Sequence, residues 1–197
     1  MNIILGSSSL RRKSILEEIF DRLQIIIPSA DENKFKYEMP YSYVERITNA
    51  KMNSILESIE TLDNFFAITS DTIVSIDDKI LGKPVSRDEA FSMLKLLSGR
   101  EHTVITGVSI IFKNSVEIKR LYDYEETTVK FKELSDKSID FYLSRIDYKD
   151  KAGSYAIQDY GEQIIEGVDG SVTNVIGFPL TLFFKMITQI GAEVIYD

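Results

Sequence analysis

The sequence predicts an α/β fold: a single domain with a twisted mixed β-sheet flanked by helices. Three observations lead there. Segments with apolar residues at helical spacing alternate with short β-branched runs. Two long strand-like segments, 102–113 and 116–132, are separated only by a turn near Asn114, which indicates a hairpin inside the sheet. No repeat, low-complexity tract or Pro/Gly/Ser linker divides the 197 residues, so one domain over 1–197 is expected. Its 44% hydrophobic and 27% charged residues are globular values, enough for a substantial core.

The elements follow in order. A strand over 2–6 stops at Gly6-Ser7-Ser8-Ser9, and an amphipathic helix over 9–20 starts there. A strand over 24–29, a polar loop and a helix over 43–60 come next. Strand 66–70 leads to a hairpin through Asp77-Asp78, then to helix 87–98 and the long strand pair. Helix 136–146, a glycine-dotted irregular stretch, helix 180–190 and a last strand over 193–196 complete the chain. Ser42…Glu45 and Ser86…Glu89 have capping-box spacing, in which serine and glutamate satisfy each other's free N–H groups. Gly99 and Gly191 stand where a left-handed helix end is wanted.

Composition narrows the function. A formal net charge of -8 argues against a broad face for nucleic acid, while leaving room for a small positive pocket. Cysteine is absent, so disulfides, thiol nucleophiles and thiolate metal sites are excluded. No stretch approaches the ~20 apolar residues of a membrane span, and no signal-peptide pattern opens the chain, so a cytoplasmic protein is expected. His102 is the only histidine. Any metal is therefore expected on oxygen ligands, which favours Mg2+ or Mn2+.

Several polar residues stand where chemistry needs them. After the first strand, Ser7, Ser8 and Ser9 with Arg11, Arg12 and Lys13 surround a helix N-terminus. Its free N–H groups and dipole favour an anion, and guanidinium forks suit phosphate. The same residues also read as an ordinary serine cap with solvated cations. Lys51 shares a helical stripe with Val44, Ile47 and Ile55, so it points into or along the core. It either snorkels to water or reaches an anion in a cleft. Asp71 interrupts the apolar run Phe65–Val74, and reads as a general base or metal ligand at a strand's C-terminal end, or as a turn former. Lys83 is presented between Gly82 and Pro84; Asp31-Glu32 lies in a polar loop; Gln158 follows Lys151-Ala152-Gly153-Ser154-Tyr155-Ala156-Ile157. Each also reads as plain surface. His102 reads as structural.

Taken in order, nine segments resemble one family. They are Ser7-Ser8-Ser9-Leu10-Arg11-Arg12, Asp31-Glu32, Glu45-Arg46 with Lys51, Ser70-Asp71-Thr72 and Leu81-Gly82-Lys83-Pro84. Leu97-Ser98-Gly99-Arg100, His102–Gly107, Asp150–Gln158 and Asn174–Pro179 complete the set. Together they resemble the Maf family of nucleoside triphosphate pyrophosphatases, also called septum-formation Maf proteins. The resemblance implies an inosine-triphosphatase-like (Maf/Ham) architecture. It implies hydrolysis of a nucleoside triphosphate to the monophosphate and pyrophosphate, with a divalent metal, Mg2+ or Mn2+.

Carried over residue by residue, it makes Asp71 the general base and Lys51 and Lys83 catalytic cations. Ser7, Arg11 and Arg12 would hold phosphate, and Glu32 with Asp71 would hold the metal. Arg11, Thr72 and Gln158 would set base preference. The Asp71-Thr72 pair and Gln158 look like the dTTP/UTP branch; the 7-methyl-GTP branch usually has Gln after that Asp and Glu in place of Gln158. The resemblance further implies a homodimer; the net charge and the lack of a long apolar stretch lead to no expected nucleic-acid or membrane partner. The rival expectation is a nucleotide-binding regulator of division that needs no turnover. Gly6-Ser7-Ser8, Ile47–Met52 and Phe178 depart from the common family pattern, and none of these departures removes a charged group that the chemistry needs.

Overall fold

The computed structural model describes residues 1–191. Seven strands, β1 (Asn2–Gly6), β2 (Leu23–Ile26), β3 (Phe65–Ile76), β4 (Lys79–Leu81), β5 (Glu101–Lys113), β6 (Ile118–Phe131) and β7 (Ile165–Asp169), alternate with helices. The helices are α1 (Leu10–Glu17), α2 (Pro40–Ile59), α3 (Arg87–Leu97), α4 (Asp136–Leu143), α5 (Gly161–Ile164), α6 (Val172–Ile176) and α7 (Leu180–Ile190). The strands hydrogen-bond in the order β2-β1-β3-β5-β6-β7, with β4 on β3. Parallel pairing of β1 with β2 and β3, and antiparallel pairing of β3 with β4 and β6 with β7, make the sheet mixed, as expected. The described residues form two compact units, one of 1–71, 106–125 and 177–191, the other of Thr72–Ile105 and Glu126–Ile176.

In the first unit, period-2 alternation along the strands feeds two apolar layers. Leu5, Phe66, Ile68, Val108 and Ile110 pack with Leu16 of α1 and with Phe183, Met186 and Ile187 of α7. Ile4, Phe65, Ala67 and Ile111 pack with Met52, Ile55 and Ile59 of α2. Glycine is required at residue 6 because a Cβ there would stand 2.6 Å from Thr69 Cγ2 and 2.8 Å from Ile55 Cδ1. In the second unit, α3 and α4 cover Val74, Val104, Val129 and Phe131 with Leu94, Leu97, Ile139 and Tyr142.

The structure corrects several sequence-based boundaries. Strand 66–70 is in fact Phe65–Ile76, so Asp71 lies inside a strand and not at its end. What ends there is the neighbour: β1 pairs with β3 only as far as Gly6↔Thr69. Helix α2 starts at Pro40, with Met39 as N-cap and no side-chain cap. Proline's fixed φ suits the first helical turn, so the Ser42 capping box does not form. At α3 the box is shared differently: Ser86 Oγ accepts from the Glu89 N–H, while the Glu89 carboxylate accepts from the Val85 N–H. Asp77 and Asp78 both take positive φ, 49° and 58°, as a two-residue hairpin turn requires. Gly99 and Gly191 are left-handed at the ends of α3 and α7. The strand expected over 193–196 lies outside the described residues.

Candidate active site

Alternation along β3 puts residues 65, 67, 69 and 71 on the face covered by α2. Helical spacing along α2 puts Ile47, Lys51 and Ile55 on one buried stripe. Each stripe carries one buried charge, Lys51 between Ile47 and Ile55, and Asp71 between Thr69 and Ile73. Thr69 Oγ1 donates to the Thr48 carbonyl at 3.0 Å, fastening β3 to α2. Just beyond, Lys51 Nζ donates to Asp71 Oδ1 at 2.6 Å. The same ammonium reaches Glu32 Oε1 at 2.8 Å. Lys51 and Asp71 are buried, and the Glu32 side chain is half-exposed in the loop 27–39 between β2 and α2. Of the two sequence readings of Lys51, the anion partner holds. A buried ammonium is costly unless paired, and here it is paired twice.

On the opposite face of β3 stands Arg12, the second residue expected to grip phosphate. It is buried, and its Nε donates to the Gly177 carbonyl at 2.8 Å. Its Nη1 donates to the Ser70 carbonyl at 2.7 Å. Burial lowers its pKa from the ordinary guanidinium value, against the opposing fields of Asp71 and Glu32. Arg12 therefore ties the start of α1 to the main chain just before Asp71 and to the turn before α7. Ser9 caps α1, its Oγ accepting from the Arg12 N–H at 3.4 Å, and Ser7 Oγ accepts from the Ser9 N–H at 3.1 Å. Ser7 is buried and Arg11 half-buried at the same turn.

Two tyrosines border the carboxylates. The Tyr43 hydroxyl donates to the Glu32 carbonyl at 2.8 Å. Burial, then the negative charges of Asp71 and Glu32, push its pKa up to about 12. Tyr122 is raised further, by burial first and by Glu45 and others next. Neither was singled out from sequence; an isolated tyrosine on a helix or strand carries no spacing signal.

Thr72, Lys83 and Gln158 belong to the second unit. Lys83 and Gln158 are exposed, and Thr72 is half-buried beside Asp71 in β3. The Gly153 N–H donates to the Gly82 carbonyl at 3.1 Å, tying the loop that leads to Gln158 to the residue before Lys83. Gly153 has φ 66°, and a Cβ there would meet Val74 Cγ2 at 2.9 Å. His102 is buried, its Nε2 2.7 Å from the Tyr155 hydroxyl and its ring edge-on to Phe131, a structural position as expected. Burial lowers its pKa to about 4.

The donor set fits a hard divalent cation. Glu32 and Asp71 each turn one carboxylate oxygen to Lys51 Nζ, which brings two hard oxygen donors close together. Among the described residues no three His, Asp or Glu side chains gather as a cluster, so substrate and water would complete the coordination. No described helix is long and apolar enough to cross a membrane.

Known proteins resemble this chain along its length. A family model described as "Maf-like protein" matches residues 2–190, spanning both units. A protein of Clostridium kluyveri named dTTP/UTP pyrophosphatase is 36% identical over 194 residues, covering 98% of this chain and all of the relative. One of the same name from Clostridioides difficile is 43% identical over 181 residues, 92% of this chain and 91% of the relative. A third, from Caldanaerobacter subterraneus, is 40% identical over 189 residues, 96% and 89%. Among solved structures, the Staphylococcus aureus Ham1 protein aligns with 96% of this chain and 100% of its own, at 12% identity and a TM-score of 0.46. By the family match and these relatives, the chain belongs to the Maf-like protein family.

Proposed function

We propose that this protein hydrolyses dTTP and UTP to the monophosphate and pyrophosphate, with Asp71, Lys51 and Glu32 at the centre of the reaction. The observation that carries the reading is the buried Lys51 ammonium held between two carboxylates. Relatives named dTTP/UTP pyrophosphatase along nearly the whole chain give the same reaction class.

Asp71 accepts a proton from a water molecule that attacks the α-phosphorus. The new P–O bond forms as the bond from the α-phosphorus to the bridging oxygen breaks, and pyrophosphate departs. Lys51 holds the Asp71 carboxylate in place before attack and offers charge to the phosphate. Lys83 neutralises charge on the leaving group, and Ser7, Arg11 and Arg12 bind phosphate at the start of α1. One cation–phosphate pair at 4 Å gains about 4 kcal/mol of gross attraction at an effective dielectric of 20. Desolvation removes much of that, so an acidic protein needs several such groups. Glu32 and Asp71 would hold Mg2+ or Mn2+, which when bound neutralises phosphate charge. Thr72 and Gln158 read the base. The reading includes a free nucleotide in the cytoplasm as substrate, no nucleic-acid or membrane partner, and a homodimer.

A nucleotide panel tests it. With Mg2+ or Mn2+, dTTP and UTP should release pyrophosphate faster than CTP or 7-methyl-GTP. Release of orthophosphate would reject the reaction, and preference for 7-methyl-GTP would reject the base assignment.

A further inference from the structure

Glu32 sits in the loop 27–39, which has no regular secondary structure, yet its carboxylate meets Lys51 at 2.8 Å. A side chain on such a loop keeps its place only if the backbone beneath it is held. Side chains of α2 hold it at three points. Ser54 Oγ accepts from the Ser29 N–H at 3.2 Å, and the Tyr43 hydroxyl donates to the Glu32 carbonyl at 2.8 Å. Arg46 Nη2 donates to the Asn33 carbonyl at 2.9 Å.

Arg46 does more than the other two. Its Nε and Nη2 fork the Glu38 carboxylate at 2.6 Å and 2.8 Å. Its guanidinium lies 3.9 Å from the Phe35 ring centroid. Glu38 Oε2 in turn accepts from the Phe35 N–H at 3.0 Å. One guanidinium thus closes residues 33–38 on themselves and onto α2, directly after Glu32. Lysine cannot copy this, having neither the planar fork nor the stacking face.

We infer that Arg46 is the positioning residue for Glu32, setting through the 33–38 segment where the Glu32 carboxylate stands. The inference rests on the proposed role of Glu32 in holding the cation, and its test separates the two. Amide hydrogen exchange is followed in the metal-free protein for residues 31–38, in wild type, Arg46→Met and Arg46→Lys, with thermal melts alongside. Exchange across this segment should rise at least ~10-fold in both variants while the core amides keep their protection. The Mn2+ concentration giving half-maximal turnover should rise about 10-fold, the scale on which supporting residues act on a metal. Adding Arg46→Met to Glu32→Gln should raise it no further.

Unchanged exchange in 31–38 overturns the inference, as does an Arg46→Met effect that is equal in the Glu32→Gln background. If Arg46→Met does not fold, Glu38→Gln, which weakens the fork, must move exchange in the same segment and direction. Wild-type cation dependence in Glu32→Gln rejects the role given to Glu32, and the exchange measurement still decides whether Arg46 orders its segment.

Discussion

Arg12 and Lys51 are buried cations on opposite faces of β3, and they solve burial differently. Arg12 donates Nε and Nη1 to two main-chain carbonyls, Gly177 and Ser70. Lys51 spends its ammonium on two carboxylates, Asp71 and Glu32. The first arrangement fixes backbone next to Asp71; the second fixes the carboxylates of Asp71 and Glu32 themselves. His102 in the second unit is a third solution, a buried base without a charged partner, kept neutral against Tyr155. The lesson is that a buried base takes its role from its acceptors more than from its own charge.

The contrast can be broken at Lys51 first. Lys51→Met leaves Asp71 buried without its ammonium and should cost about 3 kcal/mol of stability, the scale of breaking a buried pair. Chemical denaturation checks this, and turnover should fall with it. A variant as stable as wild type would show that the pair is not held against desolvation.

His102 gives the next effect, through pH. Its pKa falls from 6.5 in the unfolded chain to about 4 in the folded one. Between those values the unfolded state binds the proton and the folded state does not, so stability is lost as pH drops from about 6.5 toward 4. The loss should be on the order of 3 kcal/mol. Urea midpoints at pH 7 and pH 4.5 measure it. His102→Gln should flatten that slope relative to wild type; an unchanged slope would assign it to carboxylates instead.

Arg12 gives the smallest change. Arg12→Lys keeps the charge but cannot fork to both carbonyls, and one unsatisfied buried carbonyl costs about 1–2 kcal/mol. Its melting temperature should drop modestly, while KM and kcat respond through the displaced Ser70–Asp71 backbone. An unchanged KM would take Arg12 out of the phosphate-binding set.

Much of this was legible from residue order. Lys51 on an apolar stripe and Asp71 inside an apolar run are visible as charges out of pattern. The two carbonyls that Arg12 binds are not legible, because main-chain acceptors leave no mark in sequence. The length of β3 was missed because Asp71 interrupts the run; the strand persists because Ile73 and Val74 resume the buried alternation. Pro40 was the true start signal of α2, outcompeted in reading by the Ser42–Glu45 spacing. Arg46 stands out in the sequence only as part of the Glu45-Arg46 pair. Its work lies with Asn33, Phe35 and Glu38, loop residues whose approach no periodicity encodes.

The central claim is that Asp71, held by Lys51, takes the proton of the attacking water. Asp71→Asn keeps the shape and a hydrogen-bond acceptor for Lys51 but removes the base. Pyrophosphate release from dTTP should fall at least ~100-fold, the usual loss on removing a general base, while nucleotide binding persists. Near-wild-type release by Asp71→Asn would contradict the account.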